Sequence, residues 1–291
     1  MRPTSLRGPA FEAFVAPARR RPALWRLMCG AILAAAVWVG TVAIFLNVAL
    51  SRGFGPEDPG LLIAYLAAFV GLAAGTILAA RLFGGRGPGT LVGPGGFRAR
   101  AFGAGVLFVL GLGLFGALAG GLLDDPMSRQ LDFGPWLRLL PFALAALLIQ
   151  TSAEELAFRG FLTQGLAARF PAPAVWLGIP ALLFGALHWD SVTYGPNAVL
   201  VAAHSALVGL ILADVTVRQG NLSLAMGMHF ANNAVALLLV AAPGPLSGLA
   251  LYTSSTGPDE PVAFRRLLLL GLDTTLAGYA LWLAWNRRRR G

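Results

Sequence analysis

The sequence predicts an all-α fold: a polytopic transmembrane helix bundle of about eight spans, with N- and C-termini cytoplasmic. Three observations predict it. The 291 residues are 57% hydrophobic and only 12% charged, about half the charged fraction of a soluble domain. The mean hydropathy is +0.71. Apolar runs of the length that crosses a bilayer, about 20 residues, recur along the chain and are separated by gaps in which arginine alternates with acidic residues.

The runs lie at 26–49, 60–83, 101–123, 137–165, 173–189, 197–216, 222–242 and 264–286. The fourth is long and carries Pro141, which predicts a kink. The fifth is short and contains Pro180. The first 25 residues read as a basic, Pro-rich cytoplasmic tail. Residues 26–286 read as a single transmembrane domain with its functional core at about 137–242, and 287–291 as a basic C-terminal tail. The apolar run after the basic tail is long enough to span and stay, so no cleaved secretory signal is expected. The Gly/Pro-rich stretch 84–96 is a loop, and no internal repeat is visible.

Arginine near span ends sets orientation. Arg2, Arg7, Arg19, Arg20, Arg21 and Arg26 precede the first run. Arg81, Arg86, Arg98 and Arg100 surround the second gap, Arg169 follows the fourth run, Arg218 the sixth, and Arg287–Arg290 the last. Eight spans put all of these on one face, the cytoplasmic one. The other face receives Glu57, Asp58, Asp124, Asp125, Asp132, Asp190, Asp259 and Glu260, together with Arg52, Arg129, Arg138, Arg265 and Arg266. The net charge of +9 comes from arginine alone, since the chain has no lysine. We read that as the codon usage of a GC-rich bacterial genome and as contact with anionic lipid, not as a nucleic-acid partner. The expected location is the plasma (inner) membrane of a bacterium. One cysteine, Cys29, excludes an internal disulfide and a thiolate metal cluster, and is expected to be inert core. Trp25, Trp38, Trp136, Trp189, Trp282 and Trp285 are expected to be interfacial anchors.

Three polar motifs interrupt the apolar runs: Glu154-Glu155-x-x-x-Arg159, Phe184-x-x-x-His188 and His229-x-x-x-Asn233. Ionisable groups at membrane depth are costly and face a protein interior or a wet cavity, so the motifs are expected to form one buried site able to handle water and a proton. Residues four apart share a helix face, so Glu155 and Arg159 are expected to pair. Glu154 points about 100° away and is left free to face a cavity. A buried carboxylate with no cation beside it favours its protonated form, which suits a group that takes a proton from water and returns it to a leaving amine. Glu154 is therefore the candidate base and acid, with Glu155 and Arg159 as support; Glu155 as base is the alternative. Phe184 would position His188 beside the same water. His229 and Asn233 share a face and could hold an oxyanion, whereas Asn232 lies off it. A metal reading uses the same atoms: Glu154, His188 and His229 would give three ligands and an open position. No His-Glu-x-x-His pair is present to strengthen it, and a metal-free site is preferred over a divalent metal such as zinc. His204 reads as core or as a contact behind the site, and Asp214 with Arg218 as a pair at a helix end.

These residues, with Phe158-Arg159-Gly160-Phe161-Leu162 after the first motif and Arg218-Gln219-Gly220-Asn221-Leu222 before the third, resemble the CPBP intramembrane proteases. That family includes the CAAX prenyl endopeptidases and the bacterial Abi proteins. The resemblance covers about residues 140–242. It implies a helix bundle with a membrane-embedded proteolytic cavity, in which Glu154 and His188 activate water while His229 and Asn233 stabilise the oxyanion. The resulting expectation is an intramembrane endopeptidase, glutamate-type or metallo-type, acting near the cytoplasmic face on a membrane-bound or lipid-attached peptide. The alternative is a non-catalytic relative serving as a membrane scaffold or bacteriocin-immunity protein. A proton-coupled transporter would carry matching motifs in both halves, and residues 1–135 have none.

Overall fold

A computed structural model describes residues 7–56, 58–119 and 126–288, with side chains described to residue 115 in the second stretch. Arg2, Glu57, Asp124, Asp125, Arg289 and Arg290 lie outside the described residues. The chain is a bundle of helices. Helices α1 (Pro9–Val15), α2 (Leu24–Ser51), α3 (Pro59–Ala67), α4 (Val70–Leu82), α5 (Gly89–Val92) and α6 (Ala99–Ala119) form the front part. The rest comprises α7 (Phe133–Glu155), α8 (Gln164–Arg169), α9 (Ile179–Ala186), α10 (Ser191–Tyr194), α11 (Ala198–Gln219), α12 (Ser223–Ala234) and α13 (Pro261–Arg288). Five helical stretches, Leu24–Ser51, Pro59–Leu82, Phe133–Arg169, Ser191–Gln219 and Pro261–Arg288, are long and apolar enough to cross a membrane. Three more, Ala99–Phe115, Ala174–Ala186 and Ser223–Leu239, are apolar but shorter. Length and composition make this a multi-pass membrane protein.

Three departures from the sequence reading have physical causes. Pro141 sits inside α7 without ending it. The helix breaks regularity later, where Leu156–Thr163 winds as a π-helix. The chain is not purely helical: β1 (Met127–Arg129), β2 (Val240–Ala241) and β3 (Tyr252–Ser254) form a sheet of order β1-β3-β2, antiparallel between β1 and β3 and parallel between β2 and β3. Residues 9–15, read from sequence as part of a tail, form a helix whose Phe11, Phe14 and Val15 are wholly buried against Leu166, Trp176 and Val217. Only their apolar side chains, hidden among arginines and prolines, signal that docking.

The two ends of the bundle are each stitched together. At one end Arg7 donates to the carbonyls of Phe170 and Pro171, Asn221 to those of Pro94 and Gly96, and Arg86 to the Gln164 side chain. This end carries most of the arginines. At the other, Trp136 donates to the Leu238 carbonyl and Asn197 to that of Pro261, and the sheet ties three distant loops.

Small residues let the helices meet closely, the usual device where lipid removes the hydrophobic drive between spans. A Cβ on Gly227 of α12 would collide with the Phe102 carbonyl of α6. A Cβ on Gly185 of α9 would collide with the Ala202 carbonyl of α11. Cys29 is exposed on α2 rather than inert core. Trp282 is buried between α11, α12 and α13, not interfacial, and Trp38 lines an internal cavity.

Candidate active site

Glu154 and Glu155 end the α-helical part of α7, and the π-helical turn begins at the next residue. Such turns are rare and concentrate at functional sites. A second one, Val235–Leu239, follows Asn233. Arg159 lies within the first of these wider turns, while Glu154, Glu155, His229 and Asn233 lie on regular α-helix just before one.

Four ionisable groups meet here away from the surface. Glu155, Glu154, Arg159 and His229 are 0%, 7%, 1% and 3% exposed. Arg159 Nη1 lies 3.0 Å from Glu155 Oε1. Arg159 Nη2 donates to the Gly209 carbonyl at 3.2 Å, and the guanidinium lies 4.8 Å from the centre of the Phe184 ring. His229 Nδ1 is 2.8 Å from the same Glu155 oxygen. A carboxylate beside arginine only accepts, so Nδ1 carries a proton and donates. That bond orients the imidazole. Its Nε2 is 3.5 Å from Glu154 Oε2 and 3.4 Å from Asn233 Nδ2. Glu155 is therefore the hub of the buried pair, and Glu154 turns away from Arg159 toward the ring of His229.

Glu154 and Asn233 line a cavity of about 570 Å³ with His188 and Gln150. The rest of its wall is mostly apolar, with Trp38, Tyr65 and Phe69 from the front helices and Phe158, Phe161 and Phe184 from the motif-bearing part. His188 sits just past the end of α9, half-buried. Its Nδ1 donates to the Phe184 carbonyl at 2.7 Å, and its ring lies 4.6 Å from that of Phe184. Phe184 also packs edge-on to Phe158 and His229 at 5.2 and 5.8 Å. One phenylalanine thus touches all three motifs.

Gln150 was not singled out from the sequence. It is buried one turn before Glu154, and its Oε1 accepts from Asn233 Nδ2 at 3.2 Å. A polar residue four positions before the Glu, inside an apolar run, was the available signal. Asn232 is exposed and donates to Asn233 Oδ1 at 3.2 Å. His204 hydrogen-bonds Thr275 at 3.0 Å between α11 and α13. Asp214 accepts from Arg218 at 2.6 Å and from Tyr279 at 2.8 Å.

The metal reading needed Glu154, His188 and His229 to converge. Among the described residues no three His, Cys, Asp or Glu side chains form a group that could hold a metal ion. The reason is local: His188 is tethered at the end of α9 by its own helix carbonyl, while His229 is held by Glu155.

Toward the Arg-rich end the wall of the cavity reaches Thr76 and Phe161, with Ala79, Ala80 and Leu91 packed with Phe161. It extends the other way to Asp190, Thr193, Tyr194 and Pro243–Leu246, in the loops of the far end.

Comparison with known proteins bears on the same helices. The chain is 29% identical over 161 residues to the uncharacterized protein YyaK of Bacillus subtilis (strain 168), covering 55% of this chain and 53% of that protein. It thus spans about half the length of that curated relative. No solved structure matches it. Residues 136–235 match the family model described as type II CAAX prenyl endopeptidase Rce1-like. This segment holds all three motifs. The resemblance they carry therefore holds, and over these helices the chain is similar to a family of CAAX-type membrane proteases.

Proposed function

We propose that this protein is an intramembrane endopeptidase that hydrolyses a membrane-bound or lipid-attached peptide with water activated by Glu154. The carrying observation is the approach of Glu154 Oε2 to within 3.5 Å of His229 Nε2 beside a mostly apolar cavity. Glu154 and Glu155 bring two carboxyl groups where Arg159 supplies one positive charge. Buried charge is tolerated only when compensated, so one further proton belongs to the Glu154–His229 pair. With that proton on His229, Nε2–H and the Asn233 amide are both donors for an oxyanion, and Glu154 is free to act as base. His188, with Nδ1 committed to Phe184, offers Nε2 to the attacking water. Glu154 takes a proton from this water as its oxygen bonds to the scissile carbonyl carbon. It then passes that proton to the amine nitrogen as the C–N bond breaks.

The same reading places eight spans in the inner membrane of a bacterium, both termini in the cytoplasm and the basic segments against anionic headgroups. It requires no metal. Stoichiometric zinc in the purified protein, with activity lost on its removal, would replace it by a metallo-mechanism. The test of the activity is proteomics of membrane peptides in a wild-type strain against a Glu154→Ala strain. Peptide cleavage is expected to vanish in the variant while expression is unchanged. Identical peptide patterns would leave the chain as a non-catalytic scaffold.

A further inference from the structure

A second cavity, of about 400 Å³, lies where α6 begins, α13 ends and α11 turns into α12. It shares no residue with the motif-lined cavity. Arg98 and Arg100 line it, with Gln219, Asn221, Trp285 and Asn286.

Its charge is positive and uncompensated. No carboxylate lines the pocket. The nearby Asp214 of α11 is already committed to Arg218 and Tyr279. Arg98 gives one nitrogen to the Pro94 carbonyl at 2.8 Å, and Arg100 is exposed. The first amides of α6, at Ala99 and Arg100, have no carbonyl within their own helix, and the positive end of the helix dipole is here. Arg287 and Arg288 lie in the last turn of α13 and offset the negative end of that helix.

Asn286 is the independent observation. It is only 7% exposed and faces the pocket. Among the described residues its side-chain amide meets no hydrogen-bond partner. A buried polar group without a partner is costly, and an anion in this pocket would supply the acceptor.

The apolar part of the lining says what carries that anion. Ala101, Ala104 and Leu224 lie on the bundle side of the arginines. Leu107 follows Ala104 by three positions, and Leu281 precedes Trp285 by four, so each continues the face of a lining residue deeper into its span. They are 71% and 59% exposed. Trp285, 43% exposed, stands at a span end, where such rings sit at headgroup level. Donors at the helix ends thus lead directly into an apolar track along α6 and α13.

We propose that this pocket binds the phosphate of an anionic phospholipid headgroup, with the acyl chains along Leu107 and Leu281. Arginine forks match phosphate oxygens, and basic pockets between spans hold lipid headgroups. The backbone amide of Arg98 donates to Ser223 Oγ at the start of α12, so a lipid here also holds α6 to the helix that carries His229. The site stands whether or not Glu154 hydrolyses a peptide.

The full chain, freed of co-purified lipid in detergent, is titrated with phosphatidylglycerol and followed by native mass spectrometry. One lipid is expected to bind the wild type more tightly than those that follow. Arg98→Gln with Arg100→Gln is expected to weaken that first lipid at least about tenfold, the effect of losing charge-assisted bonds. Arg20→Gln with Arg81→Gln, which removes the same charge at two exposed positions outside the pocket, is expected to leave it unchanged. Ala104→Trp fills the pocket at an exposed position without altering charge, and is expected to weaken the lipid as the double variant does. Phosphatidylglycerol should raise the unfolding midpoint of the wild type and not of Arg98→Gln with Arg100→Gln. Equal affinity of the pocket variants and the wild type overturns the proposal. So does equal binding of phosphatidylcholine, whose phosphate is masked by its choline. Displacement of the first lipid by millimolar inorganic phosphate assigns the site to free phosphate and overturns the lipid source.

Discussion

At the residue scale, Glu155 and Asn233 show how far spacing alone carries an argument. The four-residue intervals placed Arg159 beside Glu155, and the two side chains are 3.0 Å apart. What the intervals did not contain is the contact between helices: His229 reaches Glu155 across 74 positions of sequence. The bond to Glu155 fixes which nitrogen of His229 faces Glu154. Gln150 was missed for the same reason, because its partner Asn233 lies 83 positions away. Removing an oxyanion donor costs about 10²–10³ in kcat. Asn233→Ala is therefore expected to lower kcat by that factor with little change in KM. Gln150→Ala, which leaves the Asn233 amide without its partner, is expected to lose less. The double variant should be no worse than Asn233→Ala alone, because residues in one hydrogen-bond network are not additive. Steady-state kinetics on a membrane-anchored peptide checks all three.

At the element scale, hydropathy marked the helices well, since each of the eight apolar runs contains helix. It could not mark where helicity changes character. The π-helical turns at Leu156–Thr163 and Val235–Leu239 leave no pattern in composition. Nor could it show that α1 docks, because a seven-residue helix is too short to display a period. Glycine is easier to interpret once the partners are known. Gly227 lies two residues before His229, and its missing side chain is what allows α12 to rest on α6. Gly227→Leu forces those helices apart. It is expected to cost about 1–3 kcal/mol by overpacking, measured as a lower unfolding midpoint in detergent, and to lower activity because His229 moves with its helix.

At the scale of the whole molecule, the clustering of arginine near span ends anticipated the loops that gather at one end of the bundle, and the three motifs anticipated the polar groups of the candidate site. The walls of the cavity came only from packing. Trp38, Tyr65 and Phe69 belong to the front helices, which carry no polar motif, yet they form one wall of the cavity. A sequence reading has no means of assigning an apolar aromatic residue to a cavity wall instead of a core. The site is therefore a property of both halves of the chain, although only the second matches the Rce1-like family model.

The small sheet carries a consequence of its own. β3 is its middle strand, and the buried Thr253 holds Ser128 of β1 through a side-chain bond at 2.8 Å. Between β2 and β3 runs the segment that supplies Pro243–Leu246 to the cavity. The sheet is in effect a clasp for this stretch of the cavity wall, separate from the buried polar groups of the motifs. A proline at its centre cannot take part in a ladder. Thr253→Pro is expected to make the 240–260 segment a preferred point of attack for an added soluble protease in limited digestion, while Glu154, Glu155, Arg159 and His229 keep their arrangement. Equal resistance of the variant and the wild type would show that this stretch is held by something other than the clasp.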